Sequence, residues 1–274
     1  MWVVDPFLTP VAVLFGAILG SFLNVCVYRL PRNESVVTPR SRCPHCGAMV
    51  VWYDNVPVVS WLVLRGKCRK CRGPISWQYP LVEATIGLVW GAAAARFGPT
   101  VLALNAALFV TLLIGILLTD AQQFIIPDEF SLGGLVAGLA LSFFTDVGIV
   151  RALIGAATGF TLLWVVKSVG DYALRKGWMG GSPITEALGD DEPITAMGGG
   201  DLKMLAMIGA FLGWSGALLT VFLGALVGTI VYLPFMFRGK KPLVPFGIYL
   251  AMGALATFVF GHRLVEWYFA LMGR

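Results

Sequence analysis

Two aspartates stand at the edges of long apolar runs, where carboxylates can do acid–base chemistry. Asp120 follows the charge-free run 100–119, and Asp201 precedes the charge-free run 204–237. Ionisable groups at membrane depth are costly and are therefore functional candidates. Two carboxylates held close together cannot both ionise easily, so one can donate a proton while the other activates a water molecule. Such an arrangement would suit amide hydrolysis without a covalent intermediate.

Residues next to Asp201 could support this chemistry. The glycine run that includes Gly198 and Gly200 is predicted to allow positive φ and a close approach of substrate to the backbone. Lys203 could pair with an acid or reach phosphate headgroups. Other interpretations stay open at this point, because Asp201 could cap a helix and Asp120 could be a solvated boundary residue. The pair could also relay protons in a membrane transporter.

A second group of candidate residues is four cysteines arranged as two C-x-x-C pairs. A two-residue gap lets the chain turn back so that both thiolates reach one metal, and a following glycine eases that turn. The separation of the pairs is typical of a structural zinc site with no open position. Two disulfides or four free thiols are the alternatives, although disulfides are rare in the cytoplasm. The predicted ligands are Cys43, Cys46, Cys68 and Cys71.

The composition predicts a membrane protein that positions these groups. The chain has 274 residues, of which 58% are hydrophobic and 13% are charged, whereas soluble domains have about 25% charged residues. We predict an all-α polytopic membrane protein with about eight transmembrane helices and a small cytoplasmic zinc-binding loop. The predicted spans are 7–28, 80–97, 100–119, 130–145, 149–166, 202–214, 217–237 and 244–261, with a hairpin turn at 213–216.

The basic residues predict the orientation of these spans. With the N-terminus outside, 16 of the 20 Lys and Arg residues fall in the segments predicted to be inside: 29–79, 120–129, 167–203 and 238–243. This positive-inside bias puts both aspartates and the cysteine loop on the cytoplasmic side. The net charge of +5 then reflects the bilayer and requires no nucleic-acid partner. The predicted division is a first span at 1–28, a zinc-binding loop at 29–79 and a catalytic membrane domain at 80–274.

Several motifs resemble one family in residue type and in order. Two motifs flank the cysteine loop: Gly-Ser-Phe-Leu-Asn-Val with Tyr-Arg-Leu-Pro within residues 20–31, and Gln-Tyr-Pro-Leu-Val-Glu at 78–83. Two more contain the aspartates: Asp120 ahead of a Pro-Asp pair that ends at Asp128, and Gly-Gly-Gly-Asp-Leu-Lys at 198–203. Together with the cysteine pairs, they resemble the bacterial type IV prepilin peptidases, membrane aspartic peptidases with a Gly-x-Gly-Asp motif. The resemblance covers nearly the whole chain.

This resemblance implies an activity that the spacing alone does not. It implies cleavage of the basic leader from prepilins and pseudopilins, at the cytoplasmic face of the bacterial inner membrane. It also implies S-adenosylmethionine-dependent N-methylation of the new N-terminus, a feature of members with the cysteine loop. By resemblance, Asp120 and Asp201 are the catalytic pair and Asp128 is a structural or supporting residue. The methyl-donor site does not follow from the residues.

Overall fold

The computed structural model describes residues 5–176, 195–237 and 245–271. Its regular elements in these ranges are helices, and extended backbone pairs there as two isolated bridges, Arg42 with Met49 and Lys67 with Pro74. The predicted all-α class is therefore confirmed. The α-helices of the described ranges are α1 Leu8–Arg29, α2 Val59–Val63, α3 Gln78–Phe97, α4 Val101–Gln123, α5 Asp128–Ser142, α6 Gly148–Arg175, α7 Gly199–Phe237 and α8 Phe246–Leu271.

Within the described ranges, five helical segments are long and apolar enough to cross a membrane. About 20 apolar residues are needed to cross a hydrocarbon core of about 30 Å. Two predicted spans fall outside this set: α5, which has only 15 residues, and α3. Each predicted span nevertheless coincides with a helical segment, which confirms the polytopic architecture. The five segments are Leu8–Arg32, Val101–Gln123, Gly148–Arg175, Gly199–Pro234 and Phe246–Tyr268.

Helix α7 is interrupted near the position where the sequence predicts a hairpin turn. Gly213 has φ 74° and ψ 179°, and it is the residue of α7 that leaves helical geometry. The predicted turn over 213–216 was therefore too long. A positive φ costs glycine little, so one residue is enough to end one helical segment and begin the next.

The chain forms two compact units, Met1–Gly115 and Ile116–Arg274, with the boundary inside α4. In the first unit α1 packs on α3, where a Cβ at Gly20 would lie 2.8 Å from the Glu83 Cα. Small residues let membrane helices approach this closely, which favours van der Waals contact between backbones. The finer division at residues 28 and 79 stays a prediction.

In the second unit, α6 packs on α7 through glycines on both helices. A Cβ at Gly155 would lie 2.7 Å from the Gly213 carbonyl carbon and would also meet the Gly209 carbonyl oxygen. These neighbours are backbone atoms, which cannot rotate away from an added side chain. The close approach therefore requires glycine at both Gly155 and Gly209.

Replacing Gly155 with alanine should therefore destabilise the second unit. Overpacking a tight contact costs about 1–3 kcal/mol, so the unfolding midpoint in detergent should fall. Gly133→Ala on α5 is the matched control, because nothing lies within 4 Å of its added Cβ. Alanine is a better helix former than glycine by about 1 kcal/mol, so this control should keep or raise the midpoint. Equal midpoints for the two variants would contradict the packing account.

Candidate active site and metal centre

Asp120 lies in the last turn of α4 and is 5% exposed. The helix ends just beyond it because Phe124 adopts a left-handed conformation with φ 55°. The Phe124 N–H donates to the Asp120 carbonyl at 3.0 Å, and Pro127 then stands immediately before α5. The linker 124–127 thus separates Asp120, in the last turn of α4, from the start of α5.

The carboxylate of Asp120 is held by the first turn of α8. The Ile248 N–H donates to Asp120 Oδ2 at 2.9 Å, and the Gly247 N–H is directed at the same carboxyl group. A Cβ at Gly247 would lie 2.7 Å from Asp120 Oδ2, so position 247 has no room for a side chain. Neither Gly247 nor Ile248 is predicted from the sequence. The available signal was a glycine two residues after Pro245 at the start of an apolar run.

Asp201 lies in the first turn of α7 and is 8% exposed. The sequence left open that this residue caps the helix, but the helix already begins at Gly199. Within the described ranges, no hydrogen bond is found that donates to its carboxyl group. Helix capping therefore does not account for this buried acid, although a negative charge in the first turn of a helix is favourable.

The two aspartates belong to one site in the second unit. Asp201 interacts electrostatically with Asp120. Ile126, in the linker after α4, touches both neighbouring helix starts: a Cβ at Gly200 would lie 2.9 Å from its Cβ, and one at Gly247 would lie 2.9 Å from its Cδ1. The ends of α4, α7 and α8 therefore meet around Ile126. The result is a pair of buried carboxyl groups that interact electrostatically, an arrangement suited to acid–base chemistry.

The predicted supporting residues Lys203 and Asp128 form an ion pair, whereas Gly200 makes room for a neighbouring side chain. Lys203 Nζ pairs with the Asp128 carboxylate at 2.7 and 2.9 Å, which joins α7 to the start of α5. The positive φ that the glycine run would allow is not adopted at Gly198 or Gly200, since the left-handed glycines of the described ranges lie elsewhere. Gly200 is instead helical, and its missing side chain makes room for Ile126.

In the first unit, the four predicted metal ligands converge on one point. The Sγ atoms of Cys43, Cys46, Cys68 and Cys71 all lie within 4.8 Å of one another, and Cys43 Sγ is 3.7 Å from Cys71 Sγ. These cysteines are free thiols, and the separation is far beyond the roughly 2.05 Å of a disulfide. Four sulfurs about 2.3 Å from a central ion would be about 3.8 Å apart in a tetrahedron. The cluster therefore fits a four-coordinate metal ion.

Each C-x-x-C pair is formed by the same kind of tight turn. In the first turn, the Gly47 N–H donates to the Cys43 carbonyl at 2.9 Å, and in the second the Arg72 N–H donates to the Cys68 carbonyl at 3.0 Å. The residue after the second cysteine has positive φ in both turns, at 68° for Gly47 and 60° for Arg72. The expected glycine is thus present in the first turn, whereas the second accommodates arginine in that conformation.

His45 and Gly73 join the two turns. A Cβ at Gly73 would lie 2.7 Å from His45 Cδ2, so the glycine allows the imidazole ring to pack there. His45 Nε2 lies 3.3 Å from the Pro74 carbonyl oxygen, and this histidine is outside the group of converging ligands.

Backbone N–H groups of Cys71 and Lys70 lower the pKa of the Cys68 thiol to about 6. A thiolate is therefore available there near neutral pH to bind a metal.

One cavity of the described residues does not suit S-adenosylmethionine. A cavity of about 380 Å³ in the second unit is lined mainly by apolar side chains, among them Leu219, Phe222, Leu264 and Val265. A nucleoside and a sulfonium need polar partners that such a lining does not supply.

Comparisons with known proteins match both units. The model of the bacterial peptidase A24 N-terminal domain matches residues 14–97, a range that contains the four cysteines. The model of the type IV leader peptidase family matches residues 107–233, a range that contains Asp120 and Asp201. No solved structure matches the chain.

Relatives described as prepilin leader peptidase/N-methyltransferase cover most of the sequence. The protein from Myxococcus xanthus (strain DK1622) is 40% identical over 80% of this chain, which spans 62% of that relative. The protein from Burkholderia pseudomallei (strain 1026b) is 35% identical over 91% of this chain and 84% of its own length. The protein from Aeromonas hydrophila is 33% identical over 93% of this chain and 91% of its own length. This chain belongs to the type IV leader peptidase family.

Proposed function

We propose that this chain cleaves the basic leader from prepilins and pseudopilins and then methylates the new N-terminus. The observation that carries the cleavage proposal is the buried pair Asp120 and Asp201, 5% and 8% exposed, at the meeting of three helix ends. The pair also lies inside the range that matches the type IV leader peptidase family. None of the relatives reported above is a transporter, so nothing favours the proton-relay alternative.

The proposed hydrolysis uses the two carboxyl groups in opposite protonation states. The ionised carboxylate takes a proton from a water molecule, and the oxygen of that water attacks the carbonyl carbon of the scissile amide. The protonated carboxyl group gives its proton to the amide nitrogen as the carbon–nitrogen bond breaks. The products are a carboxylic acid on the leader and a free amine on the mature protein. Positioned acid–base groups of this kind contribute about 10²- to 10⁴-fold each.

We infer that the site opens to the cytoplasm. The support is the distribution of charge, because 16 of 20 Lys and Arg residues lie in segments predicted to face inward. An inward-facing site would meet the basic leader before the substrate crosses the bilayer. The lipid bilayer of the bacterial inner membrane is then the second partner of the chain.

Zinc is the metal that we propose for the four-cysteine cluster. Cys43, Cys46, Cys68 and Cys71 would hold it through thiolates, in a closed tetrahedral site that supplies structural stability. The loop around the cluster has few regular elements, chiefly the five-residue helix α2, so a metal would supply much of its folding free energy. Methylation by S-adenosylmethionine rests on the names of the relatives.

The experiment that tests the proposal is a cleavage assay with the full chain in lipid nanodiscs. A purified prepilin is added, with and without S-adenosylmethionine, and the N-terminus of the product is identified by mass spectrometry. We expect release of the leader under both conditions, and a methyl group on the product when the methyl donor is present. An intact prepilin alongside a folded protein would overturn the cleavage proposal, and a cleaved but unmethylated product would overturn the second activity.

A further inference from the structure

The two aspartates have unequal surroundings. Asp120 Oδ2 accepts the Ile248 N–H at 2.9 Å, and the Gly247 N–H points at the same carboxyl group. Asp201 has no hydrogen bond to its carboxyl group within the described ranges. A carboxylate accepts hydrogen bonds from N–H donors best when it is ionised. Both carboxyl groups lie at a helix start, α8 for Asp120 and α7 for Asp201, so the partial positive charge there favours either anion. The N–H donors are what distinguishes Asp120.

From this asymmetry we propose that the first turn of α8, through Gly247 and Ile248, is a positioning element that keeps Asp120 ionised as the general base, and that Asp201 carries the proton as the general acid. The proposal rests on the proposed peptidase function. In the hydrolysis above, Asp120 takes the proton from water and Asp201 gives its proton to the leaving nitrogen. The pair resets when the proton passes from Asp120 to solvent and another returns to Asp201.

The other charged groups around Asp120 leave this asymmetry in place. Asp201, on α7, is the titratable group that interacts with it. The next charged groups on α7 and α5, Lys203 and Asp128, pair with each other at 2.7 Å. Helices α4 and α8 contribute no other Asp, Glu, Lys or Arg within 101–119 or 246–261. The donors from α8 are therefore the main difference between the two carboxyl groups.

The contact between the Asp120 carboxylate and α8 depends on glycine at position 247. A Cβ there would lie 2.7 Å from Asp120 Oδ2 and 3.0 Å from Asp120 Cγ. Even alanine would push the carboxylate away from its donors. The N–H groups of the first helical turn have no partner within their own helix. The Asp120 carboxylate accepts hydrogen bonds from these groups in α8, and the donors stabilise its negative charge.

The pH dependence of cleavage tests this assignment. For the wild type we expect a bell-shaped profile of kcat/KM, in which the acidic limb reports ionisation of the base and the alkaline limb reports the acid. In Gly247→Ala the acidic limb should move upward by about one pH unit, because the ionised base has lost its donors. The alkaline limb should move much less.

Ile248→Pro is the second variant and removes one donor without adding a Cβ at position 247. Proline is tolerated in the first turn of a helix because no helical hydrogen bond is lost there. This variant should shift the acidic limb in the same direction as Gly247→Ala. Ile248→Ala, which keeps the N–H, should leave the position of that limb unchanged, and Gly133→Ala is the control for adding a methyl group in open space.

The outcomes separate this inference from the proposed function. A wild type that fails to cleave prepilin would overturn the function itself. A wild type that cleaves with a bell-shaped profile, together with an unshifted acidic limb in both Gly247→Ala and Ile248→Pro, would overturn the positioning role alone. A shift confined to the alkaline limb would reverse the assignment of acid and base.

Discussion

Asparagine in place of Asp120 or Asp201 is expected to lower prepilin cleavage by about 10²- to 10⁴-fold, the range for loss of a positioned acid or base. Asparagine has nearly the size of aspartate but can neither take up nor give the proton that hydrolysis requires. The loss should appear in kcat and in kcat/KM, because the proton transfers occur in the transition state. Release of the leader peptide under single-turnover conditions measures it.

The fold should survive both substitutions. The asparagine carbonyl can still accept the Ile248 N–H that now reaches Asp120 at 2.9 Å. At position 201 a neutral side chain removes a potential buried charge, so no new burial cost arises. The unfolding midpoint in detergent should therefore stay near that of the wild type, and inactivity can be assigned to chemistry.

Asp128→Asn is the matched control for these variants. This substitution removes the same negative charge near the site. The Asp128 side chain, however, is 55% exposed and pairs with Lys203. Exposed ion pairs contribute about 0–1 kcal/mol, so cleavage should stay within a few-fold of the wild type. Full activity in either Asp120→Asn or Asp201→Asn would contradict the assignment of the pair.

Serine in place of Cys43 or Cys71 is expected to remove the bound metal and unfold the loop around it. A closed site loses most of its affinity when one of four thiolates is lost, and zinc binding in small domains is itself a large part of the folding free energy, about 10–16 kcal/mol. Hydrogen exchange should become fast within 43–74, while the helices of the second unit keep their protection. Elemental analysis of the purified chain measures the metal directly.

The same variants should separate the two activities. The cysteines lie in the unit that ends at Gly115, and both aspartates lie in the other unit. We therefore expect methylation to fail before cleavage does. Cys26→Ala is the control, because Cys26 lies in α1 and outside the cluster; it should keep one zinc ion per chain. Absence of stoichiometric zinc from the wild type would contradict the metal assignment.

The features that the sequence predicts best are those encoded locally. The charge-free runs predict the helices that carry Asp120 and Asp201, because span length and apolar composition are read directly from consecutive residues. The convergence of Cys43 with Cys71 is equally predictable, since each C-x-x-C turn is formed by its own residues and a metal site needs both turns. Confirmed features of this kind require no knowledge of how distant helices pack.

The features that the sequence does not predict depend on contacts between distant segments. Asp120 meets Gly247 and Ile248 across more than a hundred positions, and the spacing of residues carries no record of that contact. The contact of Gly200 with Ile126 could not be predicted for the same reason, because Ile126 belongs to another segment. Arg72 shows a different effect. In the second C-x-x-C turn this arginine has a positive φ, a backbone conformation that residue preferences would assign to glycine.

The most direct test of the central claim compares the two single variants with the double variant Asp120→Asn/Asp201→Asn in single-turnover cleavage of a prepilin. Groups that act as one catalytic unit show strongly non-additive losses. The account predicts that the double variant cleaves no more slowly than the worse single variant, while all three remain folded. Losses that multiply, so that the double variant falls by the product of the two single effects, would contradict a joint role for Asp120 and Asp201.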